Sequence, residues 1–159
     1  MTITAGDRIP DAELRTMTPD GPTAVRSTDV LGTGRVVLFA VPGAFTPGCS
    51  NVHLPGFVEG GAELRAKGVD TIACVAVNDP FVMDAWGQAH GVGDDILMLA
   101  DGNAEFTTAM GLLLDGSGFG LGQRSKRYAA VLQDGVVVSI DVDGTGIDLS
   151  SCSSVALKI

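Results

Sequence analysis

The stretch RVVLFAVPGAFTPGCSNVHLPGF, residues 35–57, decides how this chain is read. Arg35 to Val41 form a short apolar run rich in Val and Phe, which predicts a strand buried on both faces. Pro42-Gly43 and Pro47-Gly48 then break the run. Beyond them apolar residues recur at helical spacing: Leu54, Phe57, Val58, Ala62 and Leu64 can share one broad face. Lys67-Gly68 makes a suitable helix end, and Pro55-Gly56 predicts a kink. Cys49 stands between strand and helix. Structural cysteines sit inside apolar runs, so this position asks for a chemical reason.

The rest of the chain alternates in the same way. VDTIACVAVND, residues 69–79, reads as a second buried strand, and Asp79 and Pro80 read as N-cap and first residue of a helix. DILMLAD, residues 95–101, is a third strand, followed by a short helix capped by Asn103. RYAAVLQDGVVVSIDVDG, residues 127–144, predicts a hairpin turning at Asp134-Gly135. A last helix is expected to begin near Ser150 or Ser151. The first 30 residues read as irregular, with a turn at TPDGPT, residues 18–23. Strand–helix alternation predicts parallel βαβ units, and the hairpin adds antiparallel strands. The expected fold is α/β, one domain over residues 1–159, with a mixed central sheet and helices on both faces.

Composition narrows the function. A chain of 159 residues, 45% hydrophobic, has enough apolar surface for a core, which argues against disorder. No apolar run reaches the roughly 18 residues of a membrane span. The opening MTITAGDRIPDAEL lacks the basic and apolar regions of a signal peptide, so a cytoplasmic, reducing setting is expected. A net charge of −9 argues against nucleic acid or anionic lipid as partner. Cys49, Cys74 and Cys152 are too scattered for a disulfide framework. His53 lies near Cys49, but His90 has no ligand partner nearby, and no metal is expected. No Lys or Arg occurs from Gly68 to Gln123; then Arg124, Lys126 and Arg127 come together as the one concentrated cationic site.

A sulfur at the start of a helix faces unpaired N–H groups with partial positive charge, which favours thiolate over thiol. Lowering a thiol pKa from ~8.5 to ~6 raises the thiolate fraction at neutral pH roughly thirty-fold. Enzymes accelerate reactions by about a million-fold or more, so acidity alone is insufficient and donors must hold the substrate. Thr46 can supply a hydroxyl to the sulfur or to a bound oxygen, or can cap the helix. Arg127 can supply a fixed cation with several N–H donors. Pro42 also reads simply as a strand terminator. His53, four residues after Cys49, can share its helix face, but no orienting partner for it is visible.

These residues carry a resemblance. PGAFTPGCS matches the pattern Pro-x-x-x-Thr-x-x-Cys, with Pro42, Thr46 and Cys49 in register, and resembles the peroxiredoxins, the type-five (type-II, atypical) branch in particular. KGVDTIACVAVNDPFVMDAWG, LADGNAEF and RSKRYAAVLQDGVV extend it over nearly the whole chain from about Gly6. The resemblance implies a thioredoxin-like fold and thiol-dependent reduction of hydrogen peroxide and organic hydroperoxides, without a cofactor. It implies Cys49 as the peroxidatic cysteine, with Thr46, Pro42 and Arg127 as catalytic partners and a sulfenic acid as intermediate. A disulfide reductase of this class would carry Cys-x-x-Cys; here Thr46 stands at the first position, which excludes dithiol exchange at that turn.

The thiol that resolves the sulfenic acid stays open. Cys74, in TIACVAV, reads first as a buried core thiol, though some relatives use a cysteine resembling it. Cys152, in LSSCSSV, resembles the resolving cysteine of two-cysteine members but falls a few residues late. The implied reductants are thioredoxin, or glutaredoxin, glutathione or a mycothiol-like thiol. A homodimer is implied by the resemblance; Phe119 in GSGFGLG is the one residue that could serve an interface, or else the core. The competing readings are a redox sensor that passes oxidation to a protein partner without turnover, and a different thiol enzyme on the same fold.

Overall fold

The computed structural model describes residues 1–159. Two strands open the chain, β1 (Glu13–Thr18) and β2 (Gly21–Arg26), paired antiparallel around Pro19-Asp20. The expected turn is there, but the region around it is not irregular. These strands carry few apolar residues and β2 has no buried residue, because the hairpin forms a sheet edge; period-two burial is therefore faint in the sequence. A single helical turn, α1 (Ser27–Val30), leads to β3 (Arg35–Ala40).

Strand β3 pairs in parallel with β4 (Thr71–Ala76), and β4 with β5 (Leu97–Ala100). The hairpin follows as expected: β8 (Arg127–Gln133) and β9 (Val136–Asp143) meet at Asp134 and Gly135, with φ of 50° and 80°. Both angles suit the mirror-image turn that matches strand twist. Because β8 pairs antiparallel with β3, the seven-stranded sheet runs β2-β1-β5-β4-β3-β8-β9. A small separate ribbon of β6 (Leu113–Asp115) and β7 (Gln123–Ser125), not foreseen from sequence, precedes β8.

Helices cover both faces. On one side α2 (Leu54–Ala66), α3 (Pro80–Ala89) and α5 (Cys152–Ala156) pack Phe57, Leu64, Trp86 and Val155 against Val37, Phe39 and Cys74. On the other, α4 (Glu105–Met110) and the N-terminus pack Phe106, Met110 and Ile3 against Val36, Leu38 and Tyr128. Residues Val36–Ala40 are wholly buried, as a strand covered on both faces requires. The chain thus has a thioredoxin-like α/β fold with a mixed central sheet.

Three local expectations are corrected. The buried stripe of α2 runs Leu54, Phe57, Gly61 and Leu64, and Ala62, one position off it, is exposed. Gly61 serves because a Cβ there would stand 3.3 Å from Ile72 on the sheet. The irregularity at the front of α2 is a π-helical turn over Cys49–His53, just ahead of Pro55 rather than at it. The N-terminus of α4 is held by Asp101, whose carboxylate accepts from the N–H groups of Phe106 and Thr107, not by Asn103. Asp79 caps α3 as expected, and α5 begins at Cys152 with Ser151 as its cap, next to the expected start near Ser150 or Ser151.

Candidate active site

Strand β3 ends at Ala40, and the next residue, Val41, is still buried and donates its N–H to the Val75 carbonyl. Pro42 follows the strand end. The Ala44 N–H is tied to the side chain of Asn78 at 2.9 Å. Phe45 takes φ of 64°, a left-handed conformation strained for an aromatic residue, and is itself 55% exposed. Thr46 turns its hydroxyl back to donate to the Gly43 carbonyl at 2.6 Å. Its proton is therefore committed there rather than to the sulfur, and its lone pairs remain to accept. Helical bonding then begins, with Ser50 N–H donating to the Thr46 carbonyl.

The next bond reaches one residue too far. Leu54 N–H donates to the carbonyl of Cys49, five residues back, which makes the π-helical turn. Cys49 and His53, both about 1% exposed, face the same guanidinium. Arg127, the first residue of β8, donates from Nη2 to Cys49 Sγ at 3.2 Å and from Nη1 to His53 Nδ1 at 2.8 Å. Gly48 permits this approach: a Cβ there would stand 3.3 Å from Arg127 Nη2 and 3.3 Å from Ile147.

The orienting partner that the sequence did not reveal for His53 is thus present, twice. A guanidinium can only donate, so Nδ1 accepts and the ring proton sits on Nε2. Nε2 donates to the carbonyl of Ser150 at 2.9 Å. The ring is wedged beside Phe39 and Phe57, which stack at 4.0 Å. Burial, with the Arg127 charge adding to it, lowers the His53 pKa to about 4 against the opposing pull of Ser150, so the imidazole is neutral near pH 7. Its only sequence signal was its place four residues after Cys49.

The other two thiols are differently placed. Cys74 is fully buried on β4, and its thiol is pushed well up by burial. Cys152 is the first residue of α5 and packs on Gly60, where a Cβ would stand 2.5 Å from its Sγ. Gly60 lies eleven residues beyond Cys49 along the same helix, about 16 Å at 1.5 Å per residue. Burial and the nearby Glu63 push the Cys152 thiol up to about 11. Of the remaining cations, Arg124 is half-buried and donates to the Leu121 and Val77 carbonyls beside Gly43, while Lys126 is exposed. Phe119 is 89% exposed and so is not a core residue.

The site therefore offers a buried sulfur, a fixed cation touching it, a hydroxyl oxygen free to accept and strained backbone beside them. That set suits a two-electron step at sulfur on a small polar molecule. Comparison with known proteins agrees. The Redoxin family model matches residues 4–154. Peroxiredoxin-2E-2, chloroplastic, of Oryza sativa subsp. japonica is 51% identical, over 99% of this chain and 72% of its own length. Reduced Prx3 from Vibrio vulnificus, in complex with H2O2, superposes with a TM-score of 0.95 at 45% identity, covering 99% of both chains. Peroxiredoxin 5 from Alvinella pompejana does so with a TM-score of 0.86 at 37% identity, over 98% and 96%.

Proposed function

The chain belongs to the Redoxin family, as a peroxiredoxin that reduces peroxides at the expense of a thiol, and from that premise we propose that Cys49 is the sulfur that does so. One observation carries the assignment: the Arg127 guanidinium, locked by His53, donates to Cys49 Sγ at 3.2 Å. Cys49 as thiolate attacks one peroxide oxygen. The S–O bond forms as the O–O bond breaks, sulfur gives up two electrons, and the leaving oxygen takes a proton to depart as water or alcohol. The peroxide O–H donates to Thr46 Oγ1, whose own proton is held by Gly43, while Arg127 steadies the charge moving between the oxygens. Pro42 follows the end of β3 and sets the loop's course.

Resolution is assigned to Cys152, condensing with the Cys49 sulfenic acid to a disulfide and water, with Cys74 sealed in the core. A dithiol reductant of thioredoxin type, or a glutaredoxin/glutathione-type thiol, then restores both cysteines. The type-five label belongs to this reading, supported by the likeness to the Alvinella protein. So do the single domain over residues 1–159, a cytoplasmic setting and a homodimer, the last supported by exposed Phe45 and Phe119. The deciding experiment is rapid mixing of reduced protein with hydrogen peroxide, followed by mass spectrometry. Expected are a sulfenic acid at Cys49 and then a Cys49–Cys152 disulfide, with Cys49→Ser inactive and Cys152→Ser impaired only in thioredoxin-coupled turnover. Full peroxidase activity in Cys49→Ser would overturn the assignment. Equal thioredoxin-coupled turnover in wild type and Cys152→Ser would overturn the internal disulfide.

A further inference from the structure

The hydrogen-bond network at Arg127 does not stop at the reactive sulfur. His53 donates to the carbonyl of Ser150, two residues before Cys152. Ser150 is in turn gripped by Asp143, whose carboxylate accepts from the N–H groups of Asp148, Leu149 and Ser150 and from the Ser150 hydroxyl at 2.6 Å. Asp143 ends β9, opposite Arg127 in the strand register. Ile147, in the middle of the loop between them, leans towards Gly48, the residue before Cys49. A groove lined by His53, Gly56, Glu59, Gly60 and Cys152 follows α2 from the imidazole to the second thiol.

Resting on the reading that Cys152 resolves the sulfenic acid, we infer that His53 is a positioning residue that couples the state of Cys49 to the release of Cys152. While Arg127 donates to the Cys49 sulfur, the guanidinium fixes the ring, and the ring holds the 144–151 loop through Ser150. In this closed form the thiols cannot join, because about 16 Å of helix separates their sites and a disulfide needs Cα atoms within about 7 Å. Oxidation by the peroxide turns the sulfur into S–OH and adds an oxygen to the very atom that Arg127 contacts at 3.2 Å. Arg127 loses its sulfur acceptor, the ring loses its fixed orientation, and Ser150 loses its donor. Cys152 then travels along the groove. Its sulfur displaces the sulfenic oxygen, the S–S bond forms, and the oxygen leaves as water with the thiol proton and the sulfenic proton; no further oxidant enters.

The test separates the two ring nitrogens. An Asn amide oxygen falls near the position of Nδ1, so His53→Asn keeps an acceptor for Arg127 and drops the bond to Ser150. A Gln amide nitrogen falls near Nε2, so His53→Gln keeps the bond to Ser150. Each protein is mixed with hydrogen peroxide and followed by Trp86 fluorescence, since the Trp86 indole N–H donates to Ser50 on the reactive turn. Acid quenching and mass spectrometry time the disulfide. The expected result is disulfide formation roughly tenfold faster in His53→Asn than in His53→Gln, about the effect of one hydrogen bond. Asp143→Asn, outside the reactive site, is expected to show the same acceleration with the peroxide phase unchanged, and it serves if the His53 variants do not fold. Equal disulfide rates in wild type, His53→Asn and Asp143→Asn overturn the coupling. A wild type that turns over peroxide but never joins Cys49 to Cys152 overturns the resolving reading and the coupling with it; that failure is seen before any variant is made.

Discussion

Arg127 and His53 meet at 2.8 Å with their protons already assigned: the guanidinium donates, Nδ1 accepts, and Nε2 is left to face Ser150. One cation therefore has two fixed acceptors, the imidazole and the sulfur of Cys49. A single side chain with a planar fork can make both bonds at once; a point charge cannot.

Arg127→Lys is expected to keep the charge and lose the fork. The second-order rate of the peroxide phase should fall by about 10²- to 10³-fold, the range for removing one preorganised donor. Stopped-flow mixing with hydrogen peroxide measures it. A lysine variant within threefold of wild type would show that charge alone suffices at Cys49.

His53 makes stability depend on pH. Its pKa is lowered from 6.5 to about 4 in the fold, so below pH 6.5 the unfolded chain binds a proton that the folded chain refuses. Stability is complete above pH 6.5 and is lost as pH falls toward 4; by pH 5 the loss is about 2 kcal/mol. Urea unfolding at pH 7.5 and pH 5 measures the difference, and His53→Gln should remove most of it. A wild type equally stable at both pH values would show that the imidazole is not held neutral.

Thr46→Val removes the hydroxyl that bonds to Gly43 and the lone pairs offered to the peroxide. The peroxide phase is expected to slow by about 10- to 100-fold, while the melting temperature falls by only a few degrees, the size of one net hydrogen bond. Thr46→Ser should recover most of the rate. Failure of serine to do so would place the importance of Thr46 in its methyl group, which lies 3.1 Å from the position of a Gly43 Cβ.

Gly60→Ala sets two effects against each other. Alanine favours a helix interior over glycine by about 1 kcal/mol, yet its Cβ would stand 2.5 Å from Cys152 Sγ, and such overpacking costs roughly 1–3 kcal/mol. The clash should win locally: α5 loosens, and alkylation of Cys152 by iodoacetamide in the reduced protein speeds up several-fold. Unchanged alkylation would mean that α5 absorbs the methyl group by shifting as a unit.

Much of this was legible beforehand because local and global signals agree. The β3 run, the Asp79-Pro80 start and the Asp134-Gly135 turn each rest on residue types with one dominant use there, whereas the Cys49–Arg127 pairing was implied by the family resemblance. What escaped was set by tertiary contact. The β1–β2 hairpin exists as a sheet edge with little apolar patterning. His53 gains its meaning from the backbone of Ser150, 97 residues away, and a carbonyl leaves no mark in a sequence. The Asp143 grip on residues 148–150 was equally hidden, since an aspartate at a strand end looks like any turn residue.

The extra residue in the helix ahead of Leu54 has one more consequence. A helix frays from its end, and in a regularly wound rod the loss passes from one bond to the next. Here the winding changes at Cys49, so the opening turn forms a mechanically separate segment joined to the main rod by a seam. The reactive sulfur rides on that opening turn, ahead of the length that Phe57 and Leu64 staple to the sheet, so fraying that stopped at the seam would free the sulfur and leave the core packing untouched.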